Sequence, residues 1–175
     1  MKYERDGGPG MLEIAKILRG STNRDGDLAC LLKAQLLFWL LAASDGHAKN
    51  FSIRLLNQGR YQLTPLYDGL SIWPIIGNGA KQISWHNARL AMSIRGKNKH
   101  YPMKDIQRRH FNELAARCGL GETAEPLITE ILATTPKVIA SIQTAIPRGF
   151  PQHVLDSVLK GLNDSAKRLE AMPAI

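Results

Sequence analysis

One stretch constrains the fold before anything else is read. Residues 28–43 (LACLLKAQLLFWLLAA) form the most apolar run in the chain. Sixteen residues fall short of the roughly 20 that a membrane span requires, and Lys33 and Gln35 interrupt them. A helix that is apolar nearly all round must be buried nearly all round. The pattern therefore predicts a central core helix with the rest of the chain wrapped around it. The chain has the material to do so. Its 175 residues are 44% apolar and 22% charged, the mix of a soluble globular protein. That excludes a disordered chain, and a count of two cysteines, Cys30 and Cys118, excludes a disulfide-stapled miniprotein. No apolar segment follows Met1, so nothing reads as a secretory signal, and a reducing cytoplasmic compartment is expected, with no membrane partner.

Around that helix the punctuation is clear. Residues 6–10 (DGGPG) read as a loop. Residues 11–19 predict a short buried helix stopped by Gly20, and the polar stretch 21–27 supplies N-cap candidates. The core helix ends at Ser44-Asp45-Gly46. Residues 51–55 alternate apolar and polar, Asn57-Gln58-Gly59 makes a turn, and residues 60–66 return, with Pro65 either ending the pairing or marking an edge strand. Residues 74–100 are broken by Pro74, Gly77, Asn78, Gly79 and Gly96 and are expected to be mostly loop, with short regular structure around 90–94. The last third is helical. Residues 104–118 end at Gly119. Residues 123–134 form a helix, and Pro136 restarts another to residue 146, because an interior proline breaks a helix. Pro151 opens a last helix whose Val154, Leu155, Val158, Leu159, Leu162 and Leu169 form one apolar stripe. The expected fold is a single domain over 1–175, mainly α with a small β-hairpin (α+β).

The chemistry concentrates in Asp45-Gly46-His47-Ala48-Lys49-Asn50, followed by the hairpin and Asp68. Asp45 and Asn50 have the D-x-x-x-x-N spacing of a kinase catalytic loop, in which the Asp accepts or orients the proton of the substrate hydroxyl and the Asn holds a metal ion. A second Asp beyond a hairpin supplies another oxygen ligand, and antiparallel strands bring residues 50 and 68 together. Mg²⁺ prefers such oxygen donors. The spacing alone also fits a turn after a helix followed by an Asn cap at the start of a strand. The buried helix before it, the hairpin after it and Asp68 at the exit add weight to the catalytic reading.

The wording of these segments resembles the HipA family, bacterial toxin–antitoxin toxins that are Ser/Thr protein kinases. The resemblance runs through Phe38-Trp39-Leu40, Ser44 to Ser52 (SDGHAKNFS) and Tyr61 to Asp68 (YQLTPLYD). It also includes the opening Lys2 to Gly10 (KYERDGGPG) and Phe150-Pro151. It covers nearly the whole chain and corresponds to the C-terminal, mostly helical lobe of a protein-kinase-like fold. It implies ATP and Mg²⁺ as cofactors, Asp45 as the catalytic Asp, and Asn50 and Asp68 as metal ligands. In ordinary protein kinases a Lys two residues after the catalytic Asp contacts the γ-phosphate. Here that place holds His47 and the Lys stands at 49. Lys49 is favoured as the phosphate contact, and His47 is either a second contact or a histidine that fixes the loop. The form D-x-H-x-x-N also resembles lipid kinase loops, which keeps a lipid or small-molecule kinase as an alternative. No Walker-type or G-x-G-x-x-G loop is present, so the nucleotide-covering N-terminal lobe is expected to be missing. The chain alone is then expected to turn over little ATP.

The formal charge is +8, from 23 Lys+Arg against 15 Asp+Glu. Part of the excess clusters at 89–117, including Arg89, Arg95, Lys97, Lys99, Arg108 and Arg109. HipA-like toxins bind a helix-turn-helix antitoxin that binds operator DNA. Arg95, Lys97, Lys99, Arg108 and Arg109 are therefore candidates for antitoxin or DNA contact through the phosphate backbone. A solvated helix face and the docking of an acidic substrate segment are the other readings. The cluster follows the catalytic elements in sequence and is expected to serve partners more than phosphate chemistry. Cys30 is expected in the core. His86, His100, His110 and His153 form no ligand pattern, and Trp39, Trp73 and Trp85 are expected as core or pocket walls.

Overall fold

The computed structural model describes residues 1–174. Five helices and two antiparallel hairpins follow the order α1 (Met11–Leu18), α2 (Arg24–Leu40), β1 (Ile53–Leu55), β2 (Tyr61–Leu63), β3 (Arg89–Arg95), β4 (Lys99–Pro102), α3 (Arg108–Cys118), α4 (Glu125–Ala145) and α5 (Gln152–Ala171). The mainly helical α+β class expected from the sequence is the class observed.

Helix α2 is the spine. Leu28, Leu31, Leu32, Leu36, Phe38, Trp39 and Leu40 are all buried, and α1, α3, α4, α5 and β3 pack around it. The helix begins four residues before the apolar run and stops three residues before its end. The stop is a local hydrogen-bond arrangement: the N–H of Ala43 donates to Phe38 O and that of Ala42 to Trp39 O, with Ala42 in the left-handed region at φ 49°. This is the closing pattern usually given to glycine. Trp39 pins the far side by donating Nε1–H to Met103 O at 2.9 Å. Cys30 lies on the exposed face of α2, against the core placement expected for it, whereas Cys118 is buried.

One further expectation is extended and another corrected. Residues 74–88 are turns, bends and short 3-10 segments, as expected, but the regular structure expected around 90–94 is longer. Arg89–Arg95 is a seven-residue strand with five buried positions, pairing with β4 through a register shift between Arg89 and Ile94. Gly96 sits in the connection and does not break the strand. Pro136 does not divide two helices either, because α4 runs unbroken from Glu125 to Ala145. Its buried or half-buried Ile128, Ile131, Thr135 and Ile139 keep one stripe against the core across the proline. The Thr134 and Thr135 hydroxyls donate to the Glu130 and Ile131 carbonyls of the turn before it. Packing of that stripe outweighs the ~3 kcal/mol that an interior proline costs. Helix α3 starts at Arg108, four residues later than expected, after a 3-10 turn over Met103–Asp105.

No described helix is long and apolar enough to cross a membrane.

Candidate functional site

The loop after α2 is built on Phe38. The ring lies directly under Gly46, where a Cβ would come within 2.5 Å of it, so only glycine lets the backbone pass this close. Phe51 packs edge-on against the same ring, at 6.0 Å between centroids. Both ends of the 45–50 loop are thereby fixed to the core helix. A 3-10 turn over Ala48–Asn50 then turns Asn50 inward.

Asn50 is buried and joins two segments. Its Oδ1 accepts from the His47 N–H at 2.9 Å, and its Nδ2 donates to Asp68 Oδ2 at 2.9 Å. Both contacts agree on the amide orientation, since a backbone N–H requires the oxygen and a carboxylate requires the NH₂. Asp68 arrives from the β1–β2 hairpin, whose register pairs Ile53 with Leu63. It adopts φ 57°, a left-handed conformation that Asp tolerates better than most residues. Buried Asp27 of α2 secures the hairpin by accepting from the Leu63 N–H at 2.7 Å and from the Ser21 hydroxyl. Tyr67 donates to Lys49 O at 2.9 Å and closes the loop onto the strand exit.

Asp45 is half-exposed at the mouth of this loop. His47 is buried beneath it, with Nε2 3.8 Å from Asp45 Oδ2 and Nδ1 without a hydrogen-bond partner. Two residues that sequence reasoning did not single out complete the surroundings. Tyr3 OH donates to Asp45 Oδ1 at 2.9 Å, and Lys2 Nζ donates to Asp45 Oδ2 at 3.0 Å. Burial pushes the Asp45 carboxyl up. The hydrogen bonds from Lys2 and Tyr3 and the charges of Lys2 and His47 outweigh that and hold it below its ordinary range. The same hydrogen bond raises the Lys2 ammonium. Asp45 is therefore a carboxylate at neutral pH.

The segment carrying Lys2 and Tyr3 is anchored by Glu4, whose carboxylate is buried. Its Oε2 accepts from the Ser93 N–H at 2.6 Å. Its Oε1 accepts from the Ser93 hydroxyl at 3.0 Å and from Lys99 Nζ at 3.0 Å. No composition or spacing signal marks Glu4, Lys2 or Tyr3, because their partners lie 42 to 95 positions away (Tyr3 to Asp45, Glu4 to Lys99).

Asp45, His47, Asn50 and Asp68 are thus brought together as the sequence predicts. Lys49 is exposed at the rim, with its side chain making no ion pair among the described residues. The donor set fits a Mg²⁺ ion in kind. Among the described residues no hydrogen bond reaches Asp68 Oδ1, and Asn50 Oδ1 keeps a second lone pair beside its bond from His47. The basic cluster is divided. Arg95 is half-buried on β3, while Lys97 and Arg109 are exposed. Arg108 is not a free contact residue, because it forks onto Glu125 at 2.5–3.0 Å and is largely buried. Lys99 is spoken for by Glu4.

Comparison with known proteins defines the class. A family model described as HipA-like C-terminal domain matches residues 1–139. The chain belongs to that family. It is 27% identical over 145 residues to the putative kinase Y4mE of Sinorhizobium fredii, covering 81% of this chain and 31% of that protein. Its fold is similar to HipA of Shewanella oneidensis MR-1, solved with HipB and its operator DNA. The TM-score is 0.71 at 18% identity, covering 98% of this chain and 40% of that one. The chain therefore spans about a third of the curated relative and two-fifths of the solved one.

Proposed function

We propose that this chain is the metal-binding and proton-accepting lobe of a HipA-like serine/threonine protein kinase, which transfers the γ-phosphoryl of ATP to a protein hydroxyl. The observation that carries the reading is the clasp of Asn50 on Asp68 next to a carboxylate, Asp45, that is kept ionised. Asp45 is the proton acceptor. As the substrate oxygen bonds to the γ-phosphorus, the hydroxyl O–H bond breaks towards Asp45. The bond from phosphorus to the β,γ-bridging oxygen breaks in turn, and ADP leaves. Asn50 and Asp68 would hold Mg²⁺, which when bound neutralises charge on the phosphates. Lys49 projects a cation at the rim, in reach of a phosphate, and His47 fixes the loop from below. Lys2 and Tyr3 orient the Asp45 carboxylate.

The test is phosphoryl transfer from labelled ATP by the full-length gene product. Asp45→Ala is expected to lower labelling by about 10²-fold or more, the range of a general base, and Asp68→Ala by a similar factor. Wild-type labelling in either variant refutes the assignment. Label recovered in lipid and none in protein would favour a lipid kinase.

A second reading makes the lobe a binding module for a helix-turn-helix antitoxin and operator DNA. It draws on the +8 charge and on the HipB–operator complex of the Shewanella protein. Charge reversal at Lys97 and Arg109 is then expected to weaken operator binding by the antitoxin complex and to flatten its salt dependence. An unchanged salt slope removes that face from the interface.

A further inference from the structure

A second concavity opens beside Asp45, outside the phosphoryl-transfer residues. It encloses about 380 Å³, and its walls include Tyr3 and Arg5 of the N-terminal segment, Ser44 of the loop, Arg89 of β3 and Tyr101 of β4. No carboxylate lines it. Arg89 is exposed and makes no ion pair among the described residues. Arg5 pairs only with its neighbour Asp6, at 3.5 Å, and both side chains are more than half exposed. The guanidinium of Arg5 also lies 5.6 Å from the centre of the Tyr3 ring. The pocket thus joins two cations and two phenolic rings with no anion of its own.

Its position is as telling as its charge. Tyr3 contributes its ring to the pocket and its hydroxyl to Asp45. Ser44 precedes Asp45 in the chain. Glu4, between Tyr3 and Arg5, is locked to Ser93 and Lys99. One buried carboxylate therefore holds Tyr3 against Asp45 and Arg5 on the pocket rim together.

We infer that this pocket seats an anionic side chain of the protein substrate, a carboxylate or a phosphorylated hydroxyl, next to the hydroxyl that Asp45 deprotonates. The substrate half of that statement rests on the kinase reading. The anion half rests on the pocket alone. Guanidinium groups meet carboxylates and phosphates through paired N–H donors, and the Tyr3 and Tyr101 rings form part of the wall around them. A duplex backbone is a poorer fit, because phosphates of a rigid helix contact an open basic surface and this pocket is partly enclosed by its rings.

The experiment measures fluorescence anisotropy of short labelled serine peptides on the 175-residue chain, without ATP. The residues flanking the serine are glutamate, phosphoserine, glutamine or lysine. The glutamate or phosphoserine peptide is expected to bind about tenfold or more tighter than the glutamine peptide, and the tighter of the two names the source of the anion. Arg89→Glu is expected to abolish the preference and Arg89→Lys to retain part of it. Arg5→Ala, at a site too exposed to threaten folding, is expected to weaken it. Equal binding of the glutamate and glutamine peptides, or a preference untouched by Arg89→Glu, overturns the inference. So does displacement of the acidic peptide by duplex DNA at lower concentration than by unlabelled peptide. Because no phosphoryl transfer is read, acidic-peptide binding with no labelling by the full-length protein would count against the kinase reading alone.

Discussion

Removing the Glu4 carboxylate tests how the N-terminal segment is held. Glu4 side-chain exposure is 6%, and the Ser93 it serves is itself buried. In Glu4→Ala the Ser93 N–H loses its acceptor in a site closed to water, which costs about 1–3 kcal/mol. The Ser93 hydroxyl loses a charge-assisted bond worth about 1 kcal/mol more. Lys99 is 42% exposed and returns to water, so its share is under about 1 kcal/mol. Together the loss is about 2–5 kcal/mol, in line with breaking a buried ion pair. For a chain of this size each kcal/mol moves the midpoint by about 2–4 °C. The midpoint of thermal unfolding followed by circular dichroism is expected to fall by about 4–20 °C. Glu4→Gln, which keeps one acceptor oxygen, should fall by roughly half as much, and Lys99→Met by no more than about 4 °C. A Glu4→Ala midpoint within about 2 °C of wild type would refute the argument. It would mean that the segment, and with it the Lys2 and Tyr3 contacts to Asp45, contributes nothing to the folded state.

Two further outcomes follow from the same kind of accounting. The Arg108 fork holds the Glu125 carboxyl below its ordinary range. A depressed folded-state value means the stabilisation is present above the unfolded value of about 4.5 and is lost as pH falls through the folded one. The stability gap between wild type and Arg108→Met should therefore be about 1–2 kcal/mol at pH 7 and shrink below about pH 4.5 in melts across pH. A gap that stays constant down to pH 3 would exclude this linkage. The thiols separate by access. Burial pushes Cys118 up to about 11 and also raises Cys30, which sits on the exposed face of α2. Iodoacetamide followed by peptide mass spectrometry should label Cys30 slowly in the native chain and Cys118 only after unfolding. Equal native labelling would contradict the placement of Cys118.

Much of this molecule was legible because its strongest signals are local. The apolar run 28–43 could only be a buried helix. The alternation around Asn57-Gln58-Gly59 could only be a hairpin, and that hairpin carries Asp68 back to Asn50. What failed did so where a tertiary contact overrode a local rule. Pro136 is tolerated because the stripe through Ile131, Thr135 and Ile139 has a core to pack on. The full length of strand β3 was obscured by the glycines and asparagines that surround it, although its own sequence, RLAMSIR, carries no breaker. Cys30 was assigned inward because its neighbours are leucines, yet it falls on the one strip of α2 that faces water. Lys2, Tyr3 and Glu4 lie in a segment that carries the family wording, yet their roles were not legible for another reason. Each matters through a partner far along the chain, and a charged residue in a loop looks the same whether it is solvated or buried.

The basic cluster shows what that blindness conceals about function. Counted along the sequence, 89–117 is one positive patch that lies after the 45–50 loop and so reads as separate from it. In three dimensions it is three populations. Arg108 is consumed by Glu125 and belongs to the helical packing. Lys97 and Arg109 are exposed and free to meet a partner. Lys99 and Arg89 turn back toward Asp45, the first through Glu4 and the second on the wall of the pocket beside it. The hairpin β3–β4 causes this division, since pairing 89–95 with 99–102 folds the middle of the patch onto the N-terminal segment. Beyond Lys2, which meets Asp45 directly, positive charge on this side of the molecule thus comes from residues far along the chain. A reversal at Arg89 and one at Arg109 should accordingly have different consequences, the first on what is seated beside Asp45 and the second on what binds the outer face.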